Sequence, residues 1–362
     1  MNDVKIVRKL DGGRGYYYIN PNTYQVKQDK AYLINLNGNK CYNYEAAVMF
    51  SEFIEDLIGL KTEDGLVGSA KDVEVLTVEY DDSFEKGGCR LSEKQRRQIA
   101  GSVLLQFVVD NDGKRCSLED AIKNVGKITF VSYCRGVTEV DEVLASFKTL
   151  LADESVGFSP DESNQIVDNI INIAYAPEKK YKQGSAIRFH SFSDRMFGEQ
   201  YEYWYGEKND SIQVVKYDKE DVEENELELY EDCFSNSVLV FASKLLNNSK
   251  YGHNDHHISI IEKDHNWRTL GAKFYDKFAG SQRVPAPQAC AFSDMFAYSI
   301  AKSVAAGVEI AHGKSQLRPS LDEFKEDLDA IVEDYKKEYG EGFTCSNSED
   351  GGETGGFDLE QL

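Results

Sequence analysis

Several features that would assign this chain to a class at once are missing. No apolar run approaches the ~20 residues that a membrane-crossing helix needs; stretches such as Val238–Ser243 stop far short. The first residues, Met1–Arg14, carry no apolar signal-peptide core, so the expected location is cytoplasmic. Seven cysteines, an odd number with no Cys-x-x-Cys pair, argue against both a disulfide framework and a zinc knuckle. Basic residues are scarce as well. With 41 Lys and Arg against 63 Asp and Glu, the formal charge is −22, a field that repels phosphate backbones and anionic headgroups. No nucleic-acid partner and no membrane-surface role is expected. Gly12-Gly13-Arg14-Gly15 is not followed by a phosphate-loop Lys-Ser/Thr and reads as a turn, and no internal repeat is visible.

What is present is an alternation of strand and helix signals in 362 residues, long enough for a sizeable core. Ala31–Leu36 is a short apolar run, and Tyr44–Leu60 has apolar residues at helical spacing. Val73–Tyr80 is β-branched and reads as a strand, and Ser92 opens a capping box before Ile99, Val103 and Phe107. Lys127–Tyr133 reads as a strand, with a capped helical segment from Thr138 onward. Ser159-Pro160-Asp161-Glu162 carries cap, first-turn proline and capping-box glutamate ahead of the run Ile170–Tyr175, and Ala186–Phe192 follows as another strand. Strands and helices in this order imply βαβ crossovers and a mostly parallel, doubly wound α/β sheet covered on both faces. The period of Val238–Leu246 fits a strand or a helix.

The boundaries follow from composition. Residues 1–30 read as an N-terminal extension, 31–270 as the α/β domain with an acidic insertion at about 196–236, and 271–340 as a helical C-terminal part. Residues 346–362, rich in Gly, Glu and Asp, are expected to form a flexible tail. The alternation of Tyr201, Tyr203, Trp204 and Tyr205 with charge suits packing within the insertion, or a lid over an apolar group.

The chemistry-bearing segment is Ser132-Tyr133-Cys134-Arg135-Gly136, at the junction of an apolar strand and a helix, with small residues two positions either side of Cys134. It resembles the nucleophile elbow of the α/β-hydrolase superfamily, Gly-x-Ser-x-Gly, in the cysteine variant found in dienelactone hydrolases, with Ser132 where glycine is usual. The resemblance implies an α/β-hydrolase-type sheet and a nucleophile, acid, base order along the chain. Asp194, after the strand candidate ending near Phe192, stands in the acid's place. The segment Gly252-His253-Asn254-Asp255-His256-His257 supplies the base, with His253 first and His256 next. The oxyanion hole would use the backbone N–H of Arg135 and one from Asn37 or Gly38. These residues imply a hydrolase or acyltransferase that acts on an ester, thioester or lipid-like acyl group without a cofactor.

Two other readings stay open. A buried structural Cys134 would make the chain a catalytically inactive module that binds a protein partner, and the histidine cluster near Asp255 has zinc-ligating chemistry. The end Glu349–Leu362, acidic with Phe357 and Leu359, is similar to the C-terminal signals of bacterial type IV secretion effectors; that likeness implies delivery into a host cell and a host protein partner. His190, predicted inside a strand, and His265 and His312 receive no role.

Overall fold

A computed structural model of the chain describes residues 3–9, 15–36, 44–57, 70–79, 90–110, 112–133, 135–175, 183–191, 212–217, 237–242 and 287–343. Nine strands form one sheet: β1 (Lys5–Lys9), β2 (Tyr16–Ile19), β3 (Ala31–Leu36), β4 (Val73–Glu79), β5 (Ile128–Tyr133), β6 (Ile171–Tyr175), β7 (Ser185–Ser191), β8 (Ile212–Tyr217) and β9 (Ser237–Ala242). Their order is β2-β1-β4-β3-β5-β6-β7-β9-β8. The six strands from β4 to β9 through the middle pair in parallel, and antiparallel strands close both edges. The expected α/β class, with a mostly parallel sheet, is therefore what the chain adopts.

Parallel strands are stable only when both faces are covered. The described helices are α1 (Tyr44–Leu57), α2 (Glu93–Ser102), α3 (Leu118–Val125), α4 (Arg135–Leu151), α5 (Pro160–Asp168), α6 (Pro287–Ala311) and α7 (Leu321–Tyr339). Alternation along β5 shows the division of labour. Val131 and Tyr133 join a cluster with Phe50 and Ile54 of α1, Phe292 and Ile300 of α6 and Leu328 of α7. Ile128 and Phe130 join the opposite cluster, with Ile99 of α2, Val125 of α3, Val140 and Phe147 of α4 and Ile166 of α5. Phe189 of β7 meets the rings of Phe292 and Phe296 edge-on, at 5.4 and 5.3 Å, a favoured aromatic geometry.

Local signals chose most of these boundaries. Ser92, Ser159 and Ser320 each form a capping box, with Gln95, Glu162 and Glu323 as the reciprocal partners. Gly184, at φ +72°, turns the chain into β7, where a Cβ would lie 3.2 Å from the carbonyl oxygens of Ile170 and Val167.

Several elements add to or depart from the sequence expectation. The N-terminal 30 residues supply β1 and β2, the antiparallel edge of the sheet, through ion pairs and hydrogen bonds of Lys5 and Tyr18 with Glu79 and of Lys9 and Tyr16 with Glu55. The acidic stretch at 196–236 includes β8, the other edge strand, which has only one strand to pair with and so needs little apolar sequence. Residues 237–242 form strand β9, decided by parallel pairing to β7. Helix α4 starts at Arg135, three residues before the predicted cap at Thr138, and α6 and α7 are part of the sheet's core, not an appendage to it. Among the described residues, no helix is long and apolar enough to cross a membrane.

Glu74 ties the left half of the sheet together. It is buried, yet accepts hydrogen bonds from Arg8, from Lys27 at 3.0 Å and from Lys30 at 2.9 Å. Burial pushes its carboxyl up, but the three cations outweigh that effect and hold it at about 2, against an ordinary 4.5. A folded-state pKa below the unfolded one stabilises the protein above about pH 4.5, and this contribution is lost as pH falls from 4.5 toward 2. Glu74→Gln should therefore lower the unfolding free energy at pH 7 by about 3 kcal/mol and flatten its acid limb, as read from urea titrations between pH 3 and 7.

Candidate functional site

In an open α/β sheet, a crevice opens at the carboxyl ends of neighbouring strands whose following helices cross to opposite faces. Here that place lies between β3 and β5. From β3 the chain enters α1, whose Phe50 and Ile54 join the α6 side; from β5 it enters α4, whose Val140 and Phe147 lie on the other. Strand β5 ends at Tyr133 and α4 begins at Arg135.

The sequence candidates stand as follows. Cys134, Asp194, His253, His256, Asn37 and Gly38 lie outside the described residues. Arg135 is described: it is the first residue of α4, half-buried and engaged by a partner, and its backbone lies at the helix N-terminus as an oxyanion donor requires. Gly136 beside it is buried, and the first turn of α4 contains no acidic residue to oppose an anion there.

Polar side chains buried beneath this end of the sheet were not singled out from the sequence. On the α1 and α6 face, Asn35 of β3 donates to Thr77 of β4 at 3.0 Å. On the α4 face, Ser132 of β5 donates to Oδ1 of Asn172 of β6 at 2.7 Å. All four side chains are buried, and Asn35 Oδ1 and Asn172 Nδ2 lack a hydrogen-bond partner. The hydroxyl at 132 therefore crosslinks two central strands, β5 and β6. A signal was present in the sequence, since Asn35 and Asn172 interrupt otherwise apolar strands, AYLINL and INIAY.

Strand β7 adds two buried ionisable groups. Its Ile187 and Phe189 face the α6 side, so alternation places Arg188 and His190 on the α4 face, where both are buried and engaged by partners. Tyr133, Tyr175 and Phe189 share one row across β5, β6 and β7. His190, one residue further along, stands at the carboxyl end, two strands or about 10 Å from the turn after β5. His312 is at the other end of the sheet, 3.3 Å from Asp72, which precedes β4. No cluster of three metal-ligating side chains occurs among the described residues.

No family model matches the chain, and no curated protein does. Among solved structures, an esterase B from Lactobacillus rhamnosis, crystallised with a tributyrin phosphonate inhibitor, aligns over 78% of this chain and 90% of its own, at 8% identity and a TM-score of 0.30. A superposition this loose transfers neither fold nor chemistry.

The Ser132–Asn172 bond is testable by itself. Asn172→Leu removes the acceptor and strands a buried hydroxyl, and should cost about 1–3 kcal/mol in chemical denaturation. Coupling it with Ser132→Ala should recover part of that loss, because the double variant leaves no orphaned hydroxyl.

Proposed function

We propose that the chain is a hydrolase or acyltransferase of α/β-hydrolase type, with Cys134 as nucleophile toward an ester, thioester or lipid-like acyl carbonyl. One observation supports the reading above all: β5 and α4 leave a single residue for the turn between them, at the sheet's switch point, and that residue is a cysteine. The N-terminal amides of a 17-residue helix that begins at the next residue, Arg135, would favour the Cys134 thiolate.

In this mechanism a histidine accepts the thiol proton, and Asp194 orients the ring and stabilises the imidazolium. The sulfur forms a bond to the carbonyl carbon, and the oxyanion accepts from the backbone N–H of Arg135 and from Asn37 or Gly38. Collapse breaks the bond to the leaving group, which takes the proton from the imidazolium. Water, or an acceptor alcohol or thiol, then attacks the thioester by the same route in reverse. His253 and His256 are the bases indicated by chain order; His190 becomes a third candidate because of its place at the carboxyl end of β7.

Cys134→Ala should lower kcat by at least about a thousandfold on short-chain p-nitrophenyl esters or acyl thioesters while leaving the denaturation midpoint nearly unchanged. A substoichiometric iodoacetamide probe followed by peptide mapping should label Cys134 first. Alanine variants of His253, His256 and His190, assayed in parallel, should identify the base as the one whose loss matches that of Cys134. Full activity in Cys134→Ala would overturn Cys134 as nucleophile, whereas no turnover by the unsubstituted chain together with uniform labelling of accessible thiols would instead make the chain a catalytically inactive module that binds a protein partner.

A further inference from the structure

At the opposite end of the sheet, where the parallel strands begin, a cleft of about 290 Å³ lies between the end of α5, the starts of β6 and β7, the end of β8 and the turn joining α6 to α7. Four charged side chains line it among the described residues: Asp168, Lys216, Arg318 and Asp322. Two of them neutralise each other, since Lys216 and Asp322 form an ion pair at 2.9 Å. The other two do not. The Arg318 guanidinium donates to four neutral acceptors, the carbonyls of Gly126 and Ile128, the hydroxyl of Thr129 at 2.9 Å and that of Ser303 at 2.6 Å. A guanidinium has five N–H groups, so one Nη1 N–H is left over. Among the described residues no carboxylate pairs with this cation, and burial lowers its pKa. Asp168, the last residue of α5, is exposed to solvent at the mouth of this cleft, and among the described residues its carboxylate has no hydrogen-bond or ion-pair partner.

An unpaired cation and an unpaired anion thus line one cleft without meeting each other. The partly buried guanidinium is costly to leave uncompensated, and a single small molecule bearing both signs would compensate it while pairing with the exposed carboxylate. The volume falls at the lower bound of small-molecule sites, about 300 Å³, which suits a small metabolite and excludes a large one. From this we propose that the cleft binds a small zwitterion of the amino-acid type, its carboxylate on Arg318 and its ammonium on Asp168, with Ser185 and the Lys216–Asp322 pair as walls. The site is distinct from the carboxyl-end crevice and does not depend on the function proposed for that crevice.

The test is calorimetric titration of the full chain with the twenty α-amino acids, β-alanine and γ-aminobutyrate, with propionate and propylamine as single-charge controls. At least one zwitterion should bind with a Kd below about 1 mM, and the controls should bind at least tenfold more weakly. Asp168→Asn, which removes no described side-chain contact, should weaken binding tenfold or more without moving the denaturation midpoint. Arg318→Lys, which retains charge but loses the fork that holds the start of β5, should weaken it as well. Failure of every zwitterion to bind, propionate binding as tightly as alanine, or unchanged affinity in Asp168→Asn would each overturn the assignment.

Discussion

The central strands β3, β5, β6 and β7 are buried on both faces, and that constraint orders everything else in the molecule. Parallel pairing forces each connection to cross over the sheet, and each crossover helix must bring an apolar stripe to one face. Helices α2 to α5 cover one side and α1, α6 and α7 the other. Because α6 packs along β3, β5, β6 and β7 together, the C-terminal helices belong to the same core as the central strands.

The same constraint makes the crevice. Once the helices after β3 and β5 lie on opposite faces, the carboxyl ends of these two strands form the sheet's switch point, and α4 begins beside it. Burying polar side chains beneath such a gap is costly unless they are paired, and Asn35–Thr77 and Ser132–Asn172 are pairs of this kind. They hold adjacent strands together near the carboxyl ends of β3 and β5, and the nucleophile proposed at Cys134 would need such support, because small displacements of a reacting atom are expensive in rate.

Charge is handled differently at the two ends and at the edge. The N-terminal edge strands carry Lys5, Arg8 and Lys9 against buried Glu79, Glu74 and Glu55, so that a chain of net charge −22 places cations where its few buried carboxylates need them. At the amino ends of the strands, Arg318 serves carbonyls instead of carboxylates and leaves an unbalanced charge beside a cleft.

Much of this was legible in the sequence, and for physical reasons that act locally. Capping boxes at Ser92, Ser159 and Ser320 and apolar runs at 31–36, 128–133 and 171–175 express short-range preferences, so the elements and the α/β class could be read from residue order alone. Partnership could not. That β1 and β2 complete the sheet, that 237–242 is a strand, that Ser132 bonds Asn172, that His190 lies at the carboxyl end of β7 and that Arg318 shares a cleft with Asp168 150 positions earlier are all outcomes of long-range packing. A side chain's neighbours across a sheet depend on register and strand order, which emerge only when distant segments compete to bury the same apolar surface.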